Sequence, residues 1–231
     1  MAINRASFLS ASLAVMGTAA AANPTRAAAS TGSPAAAGES PQQSLERLMA
    51  GNKRFVHNDF PTQNHIAEKR EMLRDTQAPF ASILTCADSR VIPNFIFVQG
   101  LGDLFVTRVA GNYPDDLVTG SIEYAVEHLG TRLIMVLGHQ NCGAVKAVYS
   151  ASEEHQMLPP HLTTIQRLIG PGIQRVVQNK GTINEAITAN VRAAKADLVA
   201  TSSVIDGGIK SGKVLLVGAV YKLGTGEVAL L

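Results

Sequence analysis

Residues 81–90 read Ala-Ser-Ile-Leu-Thr-Cys-Ala-Asp-Ser-Arg, and residues 133–143 read Leu-Ile-Met-Val-Leu-Gly-His-Gln-Asn-Cys-Gly. Each stretch opens as a short apolar run and closes in side chains that carry chemistry. Runs of this length, bounded by turn residues, predict strands buried on both faces, as in a parallel sheet. Leu104 to Val109 and Val214 to Tyr221 have the same character. The last run turns at Gly224-Thr225-Gly226 and returns through Val228 to Leu231, which predicts a C-terminal β-hairpin.

Helical patterning lies between the runs. Asp115 and Asp116 suit the positive end of a helix, Ile122, Tyr124, Ala125, Val126 and Leu129 share an apolar face, and Gly130 ends it. Another helix is expected to open at Asn141. Beyond Pro159-Pro160, two more are expected over 162–178 and 183–203. An earlier one, capped by Ser40 or Ser44, runs through Leu45, Leu48, Met49 and Phe55. There is no internal repeat. The alternation predicts an α/β domain, a mainly parallel sheet flanked by helices, whose sites lie beyond the C-terminal ends of the strands.

At 231 residues, 46% hydrophobic and 16% charged, the chain is long and apolar enough for one sizeable core. A net charge of +2 with dispersed Lys and Arg argues against nucleic acid as a partner. Arg5 precedes an apolar stretch from Phe8 to Ala22, so residues 1–22 read as a signal peptide cleaved near Ala20 to Asn23. The rival, a membrane anchor, needs about 20 strongly apolar residues, and this stretch is shorter and diluted by Ser, Gly and Thr, so stable membrane insertion is not expected. Asn4-Arg5-Ala6-Ser7-Phe8-Leu9 is like a twin-arginine signal lacking one arginine, which leaves the export route open. Residues 23–41, rich in Ala, Ser and Pro, predict a disordered linker, and 42–231 the folded domain. The mature protein is thus expected to be exported, periplasmic or secreted.

Only two cysteines occur. Cys86 follows one buried run directly; His139 follows another, and Cys142 comes three residues later. All three are expected at one edge of the sheet. Two thiolates and an imidazole suit Zn²⁺ and leave a fourth tetrahedral position for water or substrate. The competing reading is a disulfide, the simplest use of two cysteines in an exported protein. Asp88 and Arg90, two and four residues after Cys86, favour the metal, because a disulfide needs neither.

Through Cys86-Ala87-Asp88-Ser89-Arg90 and Gly138-His139-Gln140-Asn141-Cys142-Gly143, the chain resembles the β-class carbonic anhydrases from about Ser44 onward. The resemblance implies one zinc per chain on Cys86, His139 and Cys142, and zinc-dependent reversible hydration of carbon dioxide to bicarbonate and a proton by a metal-activated hydroxide. It implies catalytic roles for Asp88 and its partner Arg90, with Asp88 in some members becoming the fourth metal ligand. It also implies a plant-like subtype, in which Gln77, Phe105 and Tyr124 line the substrate pocket at a subunit interface. A homodimer or a higher even oligomer follows from that. The other subtype's inhibitory bicarbonate site uses a tryptophan, and this chain has none. One departure is that Arg108 is followed by Val109, where the family often has Asn. Two alternatives stand beside this reading: a related hydrolase of carbonyl sulfide or carbon disulfide, and a noncatalytic zinc or disulfide binding module.

Overall fold

A computed structural model describes residues 38–61 and 65–231. The expected signal peptide, and the linker as far as residue 37, lie outside the described residues. Helix α1 (Pro41–Val56) starts inside the segment expected to be linker. Ser40 accepts from the Gln43 N–H while the Gln43 side chain accepts from the Ser40 N–H, a reciprocal cap, and Pro41 supplies the fixed φ of a first helical residue.

Five strands follow the expected runs: β1 (Ala81–Thr85), β2 (Leu104–Arg108), β3 (Leu133–His139), β4 (Leu215–Tyr221) and β5 (Val228–Leu230). Their order is β2-β1-β3-β4-β5, parallel except for the β4–β5 hairpin. All of β1 and β3 is buried, as continuous apolar runs require. One face of the sheet is covered by α4 (Asp116–Glu127), α5 (Gly143–Glu153), α6 (Leu162–Gln178), α7 (Ile183–Thr201) and α8 (Ser203–Lys210), which close over Leu84, Ile134 and Val136. The other face takes α1 and α3 (Pro93–Ile96) over Ile83, Leu133, Met135 and Leu137. A short helix, α2 (Ile66–Met72), has no buried residue. Among the described residues, no helix is long and apolar enough to cross a membrane.

Two expected helices are redrawn. The run over 183–203 breaks at Ser202, whose extended backbone and hydroxyl cap a separate helix, α8, while the same hydroxyl donates to Glu123 of α4. The helix expected from Asn141 begins at Gly143. Asn141 takes a left-handed φ of 54° and Cys142 an extended one, so Cys142 caps α5 and does not sit in its first turn.

Buried Asn52 ties the layers together. Its amide nitrogen donates to the carbonyls of Ile96 and Gly226, and its oxygen accepts from Val228 N–H, joining α1, the end of α3 and the C-terminal hairpin. Glycine sets another spacing: a Cβ on Gly138 of β3 would lie 2.5 Å from Val191 of α7, and one on Gly218 of β4 2.9 Å from the same residue. Helix α7 therefore rests against the sheet closer than any other residue type there would allow.

Candidate metal centre

The chain leaves β1 toward β2 on one side, whereas β3 lies on the other. This is the point where strand order reverses, and crevices form there beyond the strand ends. Thr85 pairs with Leu137, so Cys86 and His139 emerge side by side, and the turn after His139 brings Cys142 back over them. The two Sγ atoms are 3.9 Å apart as free thiols, and the ligand atoms of Cys86, His139 and Cys142 all lie within 4.8 Å of one another. All three residues are buried.

The donor chemistry fits a metal ion. His139 Nδ1 donates to the Gln140 carbonyl at 2.9 Å, which leaves the Nε2 lone pair facing the sulfurs. That Nε2 is buried and makes no hydrogen bond among the described residues, an arrangement that is costly unless a cation takes the lone pair. The thiols titrate as a pair. The hydrogen bond from Cys142 lowers the Cys86 pKa, and the same contact, with burial, raises that of Cys142. Two adjacent buried thiolates need a cation between them. The first N–H groups of α5, at Ala144 and Val145, face Cys142 Sγ and favour its thiolate.

Asp88 lies at the rim, with Oδ2 4.0 Å from His139 Nε2. Arg90 holds it in a fork: Nε donates to Oδ1 at 3.0 Å, Nη2 to Oδ2 at 2.9 Å, and the Arg90 backbone N–H also donates to Oδ1 at 2.9 Å. These bonds hold the carboxyl well below the usual carboxylate range, against the opposing effect of desolvation. Asp88 thus faces Arg90 and stands outside the three-residue ligand group. Arg108, which sequence reasoning noted only beside the Val109 departure, braces this loop from β2, donating to the carbonyls of Cys86 (3.2 Å) and Asp88 (2.6 Å). Val109 itself extends the β1–β2 ladder through its backbone, donating to Thr85 O while its own carbonyl accepts from Ala87, so the departure leaves the loop's hydrogen bonds intact.

Gln77, Phe105 and Tyr124 are elsewhere. Gln77 and Tyr124 line one cleft of about 760 Å³, with Arg70, Leu101 and His128, and Phe105 packs near Tyr124 with ring centroids 6.3 Å apart. Phe105 pairs with Ser82, three residues before the level of Thr85 and Arg108, which is about 10 Å along the strand. Gln77 precedes β1, whereas Cys86 follows it. A single chain therefore holds the metal group and the expected pocket residues at opposite ends of β1.

A family model described as carbonic anhydrase matches residues 81–228. A carbonic anhydrase of Mycolicibacterium smegmatis is 38% identical over 193 residues, covering 82% of this chain and 93% of that protein. Carbonic anhydrase 2 of Mycobacterium tuberculosis is 37% identical over 191 residues, covering 82% and 92%. Among solved structures, the β-carbonic anhydrase CcaA superposes with a TM-score of 0.66 at 28% identity, covering 80% of this chain and 86% of that one. A Coccomyxa β-carbonic anhydrase superposes at 0.64 and 27%, covering 81% and 86%. An α/β sheet carrying a Cys-His-Cys group at its switch point, with these relatives, defines the class: the chain belongs to the β-class carbonic anhydrases, metal enzymes that hydrate carbon dioxide.

Proposed function

We propose that Cys86, His139 and Cys142 hold zinc, and that Asp88, fixed by Arg90, orients the oxygen that attacks carbon dioxide. The observation that carries this reading is the buried, unpartnered Nε2 of His139 within 4.8 Å of two free thiols. Soft sulfur and imidazole donors favour zinc over magnesium or calcium. A zinc ion held there would supply a water acidic enough to act as a nucleophile near neutral pH. The chain's own residues aim it. Arg90 takes one side of the Asp88 carboxylate, and Oδ2, the oxygen near His139, keeps a lone pair for a proton on the attacking oxygen. The test is carbon dioxide hydration by purified protein before and after chelation. Activity and about one zinc per chain should disappear together, and zinc but not magnesium should restore the rate; full activity in metal-free protein refutes the reading.

We also infer a plant-like site completed by a second copy, with Gln77, Phe105 and Tyr124 of one chain serving the metal group of the other in a homodimer or a larger even assembly. Support comes from their separation within one chain and from the apolar surface near the sheet edge at β2, where Phe95 is 61% exposed, Leu101 48% and Tyr124 47%. In that pocket Gln77 donates to a substrate oxygen, and the two rings exclude water. Co-expressing Gln77→Ala with Cys142→Ala checks it. Each alone is expected to be impaired, while random pairing leaves one intact site in half of the dimers, about a quarter of the parental activity. No recovery in the mixture means that each site is self-contained.

Residues 1–22 are proposed as an export signal, giving a periplasmic or secreted enzyme, on the strength of Arg5 and the apolar stretch behind it. A mature N-terminus near Asn23 is the expected finding; an N-terminus that retains this stretch rules out cleavage.

A further inference from the structure

Beyond the ligands and Asp88, one contact reaches the metal sulfurs from a distant part of the chain. The Gly111 N–H donates to Cys86 Sγ at 3.4 Å, and the Gly111 carbonyl accepts from the Asn190 side-chain nitrogen at 2.8 Å. Asn190 is wholly buried on α7. Seven residues further along that helix, two turns and therefore the same face, Asp197 accepts from the Tyr113 hydroxyl. The loop from Val109 to Tyr113 is thus tied twice to one side of α7. That helix comes within reach because Gly138 and Gly218 let it settle on the sheet.

Gly111 cannot hold its own place. Its φ is +81°, and a Cβ there would lie 2.4 Å from Ile169 Cδ1, so the position demands the residue with the freest backbone. Some outside tether must fix the peptide, and the Asn190 amide does so. The Asn190 oxygen, meanwhile, is buried and has no hydrogen-bond partner among the described residues. A half-satisfied amide in a core lowers stability compared with a well-packed apolar side chain, so folding alone does not account for this residue.

Resting on the metal reading above, we propose that Asn190 is a positioning residue for the Cys86 sulfur: it holds the Gly111 peptide so that its N–H stays aimed at Sγ. The N–H···S bond draws electron density from the thiolate and fixes the direction of its lone pairs toward the ion. Hydrogen bonds to ligand atoms from such outer partners govern metal retention in other sites.

The test uses the full chain loaded with cobalt(II), whose sulfur-to-metal charge-transfer band reports on the thiolates, together with the rate at which a chelator removes the metal. Asn190→Leu and Asn190→Asp should move the band to lower energy and speed release about tenfold. Tyr113→Phe, which loses only the second tether, should act in the same direction and less strongly. Leu198→Ala, a buried truncation on the same helix with no polar link to the loop, should lower thermal stability and leave both readouts at the parental values. Parental band and release rate in the Asn190 variants overturn the proposal, as does a Leu198→Ala protein that reproduces their changes. If the Asn190 variants do not accumulate folded, Tyr113→Phe decides: a shift supports the proposal and parental values overturn it. A parental protein with no charge-transfer band would remove the metal reading as well, whereas a band that ignores these substitutions removes only the role of Asn190.

Discussion

Cys142→Ala is expected to lose metal and turnover together, with zinc falling from about one per chain toward none and carbon dioxide hydration dropping on the order of 10³-fold or more. The three donors sit within 4.8 Å in a buried place, and among the described residues no fourth His, Cys, Asp or Glu joins their group, Asp88 being held by Arg90 at the rim. Removing one sulfur leaves a thiol and an imidazole, too few to repay dehydration of the ion. Because ligation adds to folding stability, the zinc-loaded parent should melt well above Cys142→Ala, and the difference should shrink once both are stripped of metal. Elemental analysis and thermal denaturation with and without chelator check this; a variant that keeps its zinc argues against Cys142 as a ligand.

Asp88→Asn separates chemistry from metal binding. Zinc should remain near one per chain while turnover falls on the order of 10²-fold or more, the usual cost of losing a positioned proton acceptor. In the parent, Arg90 donates to both carboxylate oxygens. An amide in either orientation sets its NH₂ against one of those donors, so the fork opens as well as losing its charge. The pH dependence has a definite sign. Asp88 has a lowered pKa, so the stability from its pairing with Arg90 is fully present above the ordinary carboxylate range and fades progressively as pH falls from that range through the lowered value. Parent and variant should therefore differ by a constant, small amount from neutral pH down to about 5, since Arg90 is largely exposed. Full turnover, or lost zinc, contradicts the role given to Asp88.

Much of the fold was legible because burial on both faces leaves continuous apolar runs, and those of β1, β2, β3 and β4 appear at nearly their observed bounds. Helix α8 was not, because Gly207 and Gly208 weaken its helical pattern and Ser202 breaks an otherwise continuous run by capping a new helix. The start of α5 was misplaced by two residues, since nothing in Asn141-Cys142 announces a left-handed residue followed by a cap. At the site, the pairing and roles of Asp88 and Arg90 came from the family resemblance, whereas Cys86, His139 and Cys142 were legible as a donor set from their places at the strand ends. Arg108 and Asn190 were not. Each acts through a backbone atom of a segment remote in sequence, Cys86 and Asp88 in one case and Gly111 in the other, and such partners leave no local pattern.

By itself the sequence determined which residues are apolar enough to become buried strands and which donors stand at their ends, since periodicity and side-chain chemistry are properties of neighbours along the chain. The tertiary structure alone decided that β1 and β3 lie side by side, that the three donor atoms come within 4.8 Å of one another, and that Arg108 braces the Cys86 and Asp88 loop from β2. It also decided that α7 rests on two glycines closely enough to hold the loop above Cys86. Those outcomes depend on packing between segments tens of residues apart, where shape and distance, not order in the chain, set which groups can touch.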